Sequence, residues 1–259
     1  MVLIKLVIYL KKTLSIIYMN KKLKTGDKIL KKNSDWNFRG NVYKYFDNHI
    51  RKSVPLYLET QNFYVKLSDF FLQNNSKIID LGSSTGTFLF NLNLRHRNNQ
   101  KKVKFIGIDN TKEMIKFCKK KYKNKKNLFF YEKDITKVDL SKSCIISSFY
   151  TIQFVSPKKR QTLINKIYKG LNWGGAFFFI EKVRGSDARF QDILTQTYNE
   201  YKISQGFSPS EIIAKSRSLK GILEPFSTYG NLQLLKRAGF KDIMTVFKYG
   251  CFEGFLAIK

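Results

Sequence analysis

Histidine and cysteine are scarce in this chain of 259 residues, with two of the first and three of the second. His49 and His96 cannot supply a zinc site by themselves. Cys118, Cys144 and Cys251 lie far apart and are odd in number, so they match neither a metal-binding nor a disulfide spacing. No metal site is expected, and a reducing cytoplasmic setting is. Acidic residues are also few, 19 against 48 lysines and arginines, for a net charge of +29. Long apolar runs are missing. Residues 1–18 are apolar but interrupted by Lys5, Lys11 and Lys12, too short for a span and without a small-residue cleavage site. They read as a weak amphipathic segment, or as sequence upstream of a start at Met19, and no stable membrane insertion is expected. A basic excess of this size ordinarily suggests nucleic acid. Here the lysines run along the whole chain, in clusters such as Lys119-Lys120-Lys121 and Lys158-Lys159-Arg160 on solvated faces, so charge alone leaves RNA contact open.

What is present is more specific. Ile78-Ile79-Asp80-Leu81-Gly82-Ser83-Ser84-Thr85-Gly86-Thr87 reads as a strand, a glycine turn and a helix start. Phe105-Ile106-Gly107-Ile108-Asp109 is a second strand whose tip carries a carboxylate roughly twenty residues on, the spacing of a ribose-gripping acid in a nucleotide-binding α/β unit. Gly82 and Gly86 allow a sharp turn and a close ligand approach. The turn departs from the dinucleotide fingerprint G-x-G-x-x-G, with Ser83 and Ser84 in its middle. Asp80, two residues before the first glycine, would repel a pyrophosphate but suits an ammonium group. A ligand with a ribose, an adenine and an α-amino group but no phosphate fits this pattern, which favours S-adenosylmethionine over NAD.

The rest of the chain supplies a matching framework. At 43% apolar residues it can bury one sizeable core. A short amphipathic helix is expected over 42–50 and a longer one over 57–72. Strands follow over 77–81, 103–109, 128–131, 143–149 and 176–181, alternating with helices over 87–94, 111–122 and 158–171. Asn172-Trp173-Gly174-Gly175 reads as the glycine-rich stop of the last of these. Residues 184–220 break the alternation with two or three helices. A final helix over 229–238 ends at Gly239, and strands over 242–247 and 251–258 close the chain as an antiparallel hairpin. The pattern implies an α/β fold: a mostly parallel, Rossmann-like sheet with helices on both faces, an antiparallel C-terminal strand and a helical insertion before the last helix. That tail is usual for class I methyltransferases and unusual for dehydrogenases. The expected organisation is a lead-in over 1–34 and one such domain over 35–259, with the insertion at about 184–225.

Candidate chemistry follows from position. Asp109 is assigned to the ribose hydroxyls, with Asn110 or Thr111 free to cap the next helix. Asp134 can accept from the adenine amino group while Ile135 packs on the ring, or it can be a plain turn aspartate. Ser83, Ser84 and Thr85 suit the methionine portion or simply cap a helix. Behind the fourth strand, Tyr150-Thr151-Ile152-Gln153-Phe154 offers no acid, histidine or lysine as a general base. Lys215-Ser216-Arg217-Ser218 in the insertion is suited to a carboxylate, since arginine presents a planar donor fork, or is a solvated face. Arg51, Lys52 and Tyr57 form a second cluster able to close over the site.

These residues resemble a particular family. Asp35-Trp36-Asn37-Phe38, Arg51-Lys-Ser-Val-Pro-Leu-Tyr57, Asp80-Leu-Gly-Ser-Ser-Thr-Gly86, Ile108-Asp109-Asn110, Asp134-Ile135, Gln153-Phe154, Gly174-Gly175, Glu181-Lys182, Arg217-Ser218 and Ala238-Gly-Phe240 stand in the order and spacing of carboxy-S-adenosyl-L-methionine synthases. The resemblance covers residues 35–259. It implies transfer of a carboxyl group from prephenate to the sulfonium methyl of S-adenosylmethionine, with release of phenylpyruvate. The substrate's own hydroxyl serves as the base, and the product feeds modification of a tRNA wobble uridine by a partner enzyme, so direct tRNA binding is not expected. It also implies a homodimer, Arg217 and Tyr57 as anchors of the new carboxylate, and Asp80, Gly82, Ser83, Ser84, Gly86, Asp109, Asn110, Asp134, Ile135 and Phe149 around the cofactor.

Three positions depart from the family's pattern. Ser83 stands where a cysteine is usual, Ser216 where a basic residue is usual, and Phe149 where an asparagine normally faces the ligand. The alternatives are a methyltransferase acting on another small molecule, one acting on RNA, or a binding protein with a dead site.

Overall fold

The computed structural model describes residues 22–99 and 101–259. The apolar stretch at 1–18 and the alternative start at Met19 lie outside the described residues. A seven-stranded sheet forms the centre, in the order β5-β4-β3-β6-β7-β9-β8. Its strands are β3 (Ser76–Leu81), β4 (Val103–Asp109), β5 (Leu128–Glu132), β6 (Ser143–Phe149), β7 (Leu171–Lys182), β8 (Asp242–Tyr249) and β9 (Phe252–Ile258). The pairs from β5 through β7 are parallel, and β9 runs antiparallel between β7 and β8. A small antiparallel hairpin, β1 (Leu23–Lys24) and β2 (Leu30–Lys31), precedes the sheet.

Continuous apolar runs make the inner strands, because both faces are covered. β6 is buried along all but its last residue. One face packs on α2 (Tyr57–Leu67), α3 (Thr87–Arg95) and α4 (Lys112–Lys121), through Tyr64, Leu89, Leu92, Ile115 and Cys118. The other packs on α5 (Pro157–Gly170) and α8 (Thr228–Ala238), through Leu163, Ile164, Ile167, Leu234 and Leu235. Gly239 ends α8 at φ +114, as its C-cap reading requires.

Three further helices serve the site. α1 (Val42–Ser53) precedes α2, while α6 (Ala188–Ser204) and α7 (Pro209–Ser218) fill the expected insertion between β7 and α8. A capping box between Ser208 and Glu211 starts α7. No helix among the described residues is long and apolar enough to cross a membrane.

The order of strands reverses at β3, since the chain proceeds from β3 outward through β4 and β5 and then returns to β6 on the other side. A crevice at the carboxyl ends of β3 and β6 follows from that topology. Two expectations shift. The glycines at 174–175 do not stop α5, which ends at Gly170. β7 has already begun at Leu171, and its register slips where Ser143 and Ile145 pair across. Gly174, at φ +69, sits in that irregularity rather than at a helix end. The helix expected over 57–72 stops at Leu67 and continues as a 3-10 turn at Ser68–Phe70, where the Ser68 hydroxyl donates to the Val65 carbonyl.

Candidate functional site

The crevice opens into a cavity of about 1110 Å³ lined by both halves of the chain. Its floor is the turn after β3. Gly82 (φ +81), Ser84 (φ +52) and Gly86 (φ +74) take left-handed backbone, and the Gly82 and Ser83 amides both donate to the Ile108 carbonyl at 2.8 and 3.0 Å. A side chain on Gly82 would put its Cβ 2.1 Å from the Thr151 hydroxyl, so glycine is required there. Gly86 does not line the cavity, and a Cβ there would strike Phe130 at 2.7 Å. Its place is in packing, against Phe130 and Tyr122.

Two carboxylates edge the floor. Asp80 is 5% exposed and accepts from the Ser147 hydroxyl at 2.7 Å. Burial pushes it up to about 7, against the opposing pull of Ser147. Asp109 accepts from the Ser84 amide at 2.9 Å and the Thr111 amide at 2.8 Å. Burial raises it as well, with those donors opposing. Asp109 therefore braces the glycine turn and the start of α4 at once, while still lining the cavity.

Asn110, Ile135, Phe149 and Tyr57 also line the cavity, as do Ser83 and Ser84. The hydroxyls of Ser83, Ser84 and Tyr150 are buried without a hydrogen-bond partner among the described residues. Orphaned groups of this kind cost free energy unless a ligand meets them, so the floor fits a polar ligand such as the amino-acid end of S-adenosylmethionine. Asp134 lies outside the lining. Its carboxylate accepts from the amide and hydroxyl of Thr136, which lower it below the ordinary aspartate range. The geometry is that of the turn aspartate.

The far wall comes from the insertion. Arg217, on α7, lines the cavity. Its carbonyl accepts from the Ser34 amide at 2.9 Å, and the Ser218 carbonyl accepts from the Trp36 amide at 3.0 Å. The Asp35-Trp36-Asn37-Phe38 segment thus docks α7, and buried Trp36 meets Phe38 edge-on at 5.7 Å. Phe38 in turn packs on Phe154 at 5.5 Å, joining this wall to the loop after β6. Tyr57 stacks on Tyr150 at 6.0 Å, and burial raises its phenol. Of the cluster expected beside it, Arg51 is exposed and outside the lining, and Lys52 pairs with Asp27 at 3.2 Å.

Several contributors were not singled out from sequence for these roles. Glu181 at the end of β7 accepts from the amides of Thr151, Ile152 and Gln153 at 3.2, 2.9 and 2.8 Å, holding the loop that walls the cavity. Burial pushes this carboxyl up to about 8 while the three amides pull it back. Thr85 donates to Asp47 at 2.6 Å, tying α1 to the glycine turn. Lys182, Tyr198 and Lys202 line the same cavity as Asp80 and Asp109. The run Ser147-Ser148 in a buried strand and the acid closing an apolar strand are the local signals that could have marked them. Among the described residues no group of three or more histidines, cysteines or acids is placed to hold a metal.

A family model described as "Methyltransferase domain" matches residues 72–231. The carboxy-S-adenosyl-L-methionine synthase of Nautilia profundicola is 38% identical over 240 residues, 90% of this chain and 99% of that one. The protein of the same name from Staphylococcus epidermidis is 34% identical over 226 residues, 86% of this chain and 97% of that one. Among solved structures, human N-acetylserotonin methyltransferase in complex with SAM aligns with a TM-score of 0.50 at 16% identity, over 84% of this chain and 66% of that one. The cyclopropane synthase MmaA2 of Mycobacterium tuberculosis aligns at 0.52 and 10% identity, over 73% of this chain and 63% of that one. At such identities the two structures speak for the fold alone.

Proposed function

This chain belongs to the carboxy-S-adenosyl-L-methionine synthase family of class I methyltransferase-fold enzymes, and from that premise we infer that it makes carboxy-S-adenosylmethionine from S-adenosylmethionine. The carboxyl donor in this reading is prephenate. The observation that carries the reading is one cavity lined by groups of both signs, the carboxylates Asp80 and Asp109 together with the cations Arg217, Lys182 and Lys202. An ordinary methyl transfer has no need of those cations; a reaction that moves a carboxylate does.

S-adenosylmethionine supplies the sulfonium methyl that is carboxylated. Asp80 takes its ammonium group and Asp109 its ribose hydroxyls, while the Ser83 and Ser84 hydroxyls meet in its amino-acid end the partners they otherwise lack. Asn110 and Ile135 flank the adenine, with Gly82 and Gly86 shaping the turn. Arg217 and Tyr57 anchor the carboxyl group that arrives. Phe149 packs between Phe88 and Tyr64, with ring centroids at 4.4 and 5.0 Å, and gives the methyl an aromatic wall. No protein base is needed at the methyl. When prephenate gives up one carboxyl group and its ring hydroxyl, that hydroxide takes a methyl proton and leaves as water. The new C–C bond replaces the one broken, and phenylpyruvate remains.

The product serves tRNA wobble-uridine modification in the cytoplasm through a partner enzyme, without tRNA bound to this chain. The enzyme acts as a homodimer. α6 supports that assembly: none of its 17 residues is buried, and Phe190, Ile193 and Ile203 are about half exposed along it. A second copy of the chain covers this apolar face. Native mass spectrometry of the protein purified from cells tests the reading. Release of carboxy-S-adenosylmethionine is expected, and S-adenosylhomocysteine alone would favour an ordinary methyltransferase.

A further inference from the structure

Two lysines in the cavity have no counter-charge. Lys182 ends β7 and Lys202 stands in the last turn of α6, and their ammonium groups lie 4.5 and 4.4 Å from the centroid of one ring, that of Tyr198. The ring is fixed, since its hydroxyl donates to the Ser53 carbonyl at 2.7 Å and its edge meets Phe252 at 5.3 Å. Neither ammonium has an ion pair or hydrogen bond among the described residues, whose ion pairs with lysine engage Lys24, Lys52, Lys77 and Lys248 instead. The tyrosine face offsets only part of the cost of desolvating two like charges side by side. Burial and the neighbouring Lys182 push Lys202 down to about 8, and burial lowers Lys182 too. An anion entering between them would relieve both costs.

The surroundings define the anion. Tyr57 and Tyr150 form a stacked aromatic wall of the same cavity, and Gln191, Thr195 and Asn199 add neutral polar groups. At about 1110 Å³ the cavity exceeds what a drug-sized ligand fills, so a second molecule has room beside the first. We propose that Lys182 and Lys202 clamp the carboxylate that stays on the second substrate and leaves with the keto acid, while Arg217 serves the carboxyl group that is transferred. Naming the anion a keto-acid carboxylate rests on the synthase reading; the unpaired lysines do not. The clamp orients the donor with its departing carboxyl group toward the methyl, and gives the site a preference for dicarboxylates.

Calorimetric titration of phenylpyruvate into the enzyme saturated with S-adenosylmethionine tests the clamp. Lys182→Gln and Lys202→Gln are each expected to weaken the keto acid about tenfold, and the double variant about a hundredfold, as loss of charged hydrogen bonds does. Lys202→Arg should retain most of the affinity, and S-adenosylmethionine should bind every variant within about twofold of the wild type. Wild-type protein that does not bind phenylpyruvate overturns the proposal. So does a double variant that binds it as well as the wild type, or one that loses S-adenosylmethionine in equal measure. Product analysis with prephenate separates the two readings. If the lysines govern keto-acid binding but no carboxylated product forms, the clamp stands and the synthase reading falls. If product forms with an unchanged KM for prephenate in the double variant, the synthase reading stands and the clamp falls.

Discussion

Asp80 is held up to about 7 by burial, so in the ligand-free protein it takes on a proton as the pH falls through neutrality. In the proposed function the ammonium group of the cofactor pairs with the ionised form, so binding should weaken as the pH drops through that value. Affinity for S-adenosylmethionine should fall close to tenfold between pH 7.5 and pH 6, and Asp80→Asn should bind weakly with no such slope. A titration series by calorimetry reads both. Glu181 gives a different signature, because it faces three amides rather than a ligand. In Glu181→Gln the new NH₂ group opposes at least one of those N–H donors, which should cost about 1–3 kcal/mol in denaturant unfolding. Arg217→Ala should weaken carboxy-S-adenosylmethionine by about 2 kcal/mol, roughly thirtyfold, and leave S-adenosylmethionine unchanged. Equal loss of both ligands would show that the arginine acts on the wall rather than on the carboxylate.

At the scale of elements, the glycine turn and the strand tips were legible because their signals are local. Asp80, Gly82 and Asp109 lie within one β-α-β unit, where period and spacing fix which residues face the crevice. Asp80 and Asp109 both line the cavity, while Asp134 lies outside the lining and is engaged by its own Thr136. The Asp35-Trp36-Asn37-Phe38 segment marked the family without disclosing its work, which depends on α7 lying alongside it some 180 residues later. Lys182 and Lys202 meet only because α6 folds back over the end of β7, a tertiary arrangement that no periodicity encodes. The 174–175 glycines misled because a glycine pair after a helix has the same composition whether it caps the helix or bends the next strand. Trp36→Ala follows from this view of α7: loss of a buried indole should cost about 3 kcal/mol or more. Trp36→Phe should fold better, keep its affinity for S-adenosylmethionine, and bind the carboxylated product less well because α7 is less firmly seated. Chemical unfolding and calorimetry on the two variants check this.

For the whole molecule, charge and surface say different things. The net charge of +29 is spread over the chain, and only a few of its cationic groups line the cavity. In the proposed assembly the apolar residues along α6 meet a second copy of this chain. Light scattering should report a dimer, and Ile193→Asp should shift it toward monomer while the sheet stays folded by circular dichroism; a monomeric wild type would remove the dimer from the account.

Purified enzyme should be incubated with S-adenosylmethionine carrying a labelled methyl group and with prephenate, and the products resolved by mass spectrometry. Labelled carboxy-S-adenosylmethionine and phenylpyruvate are expected in equal amounts. Phenylpyruvate without the carboxylated sulfonium, or S-adenosylhomocysteine in its place, would contradict the proposed reaction.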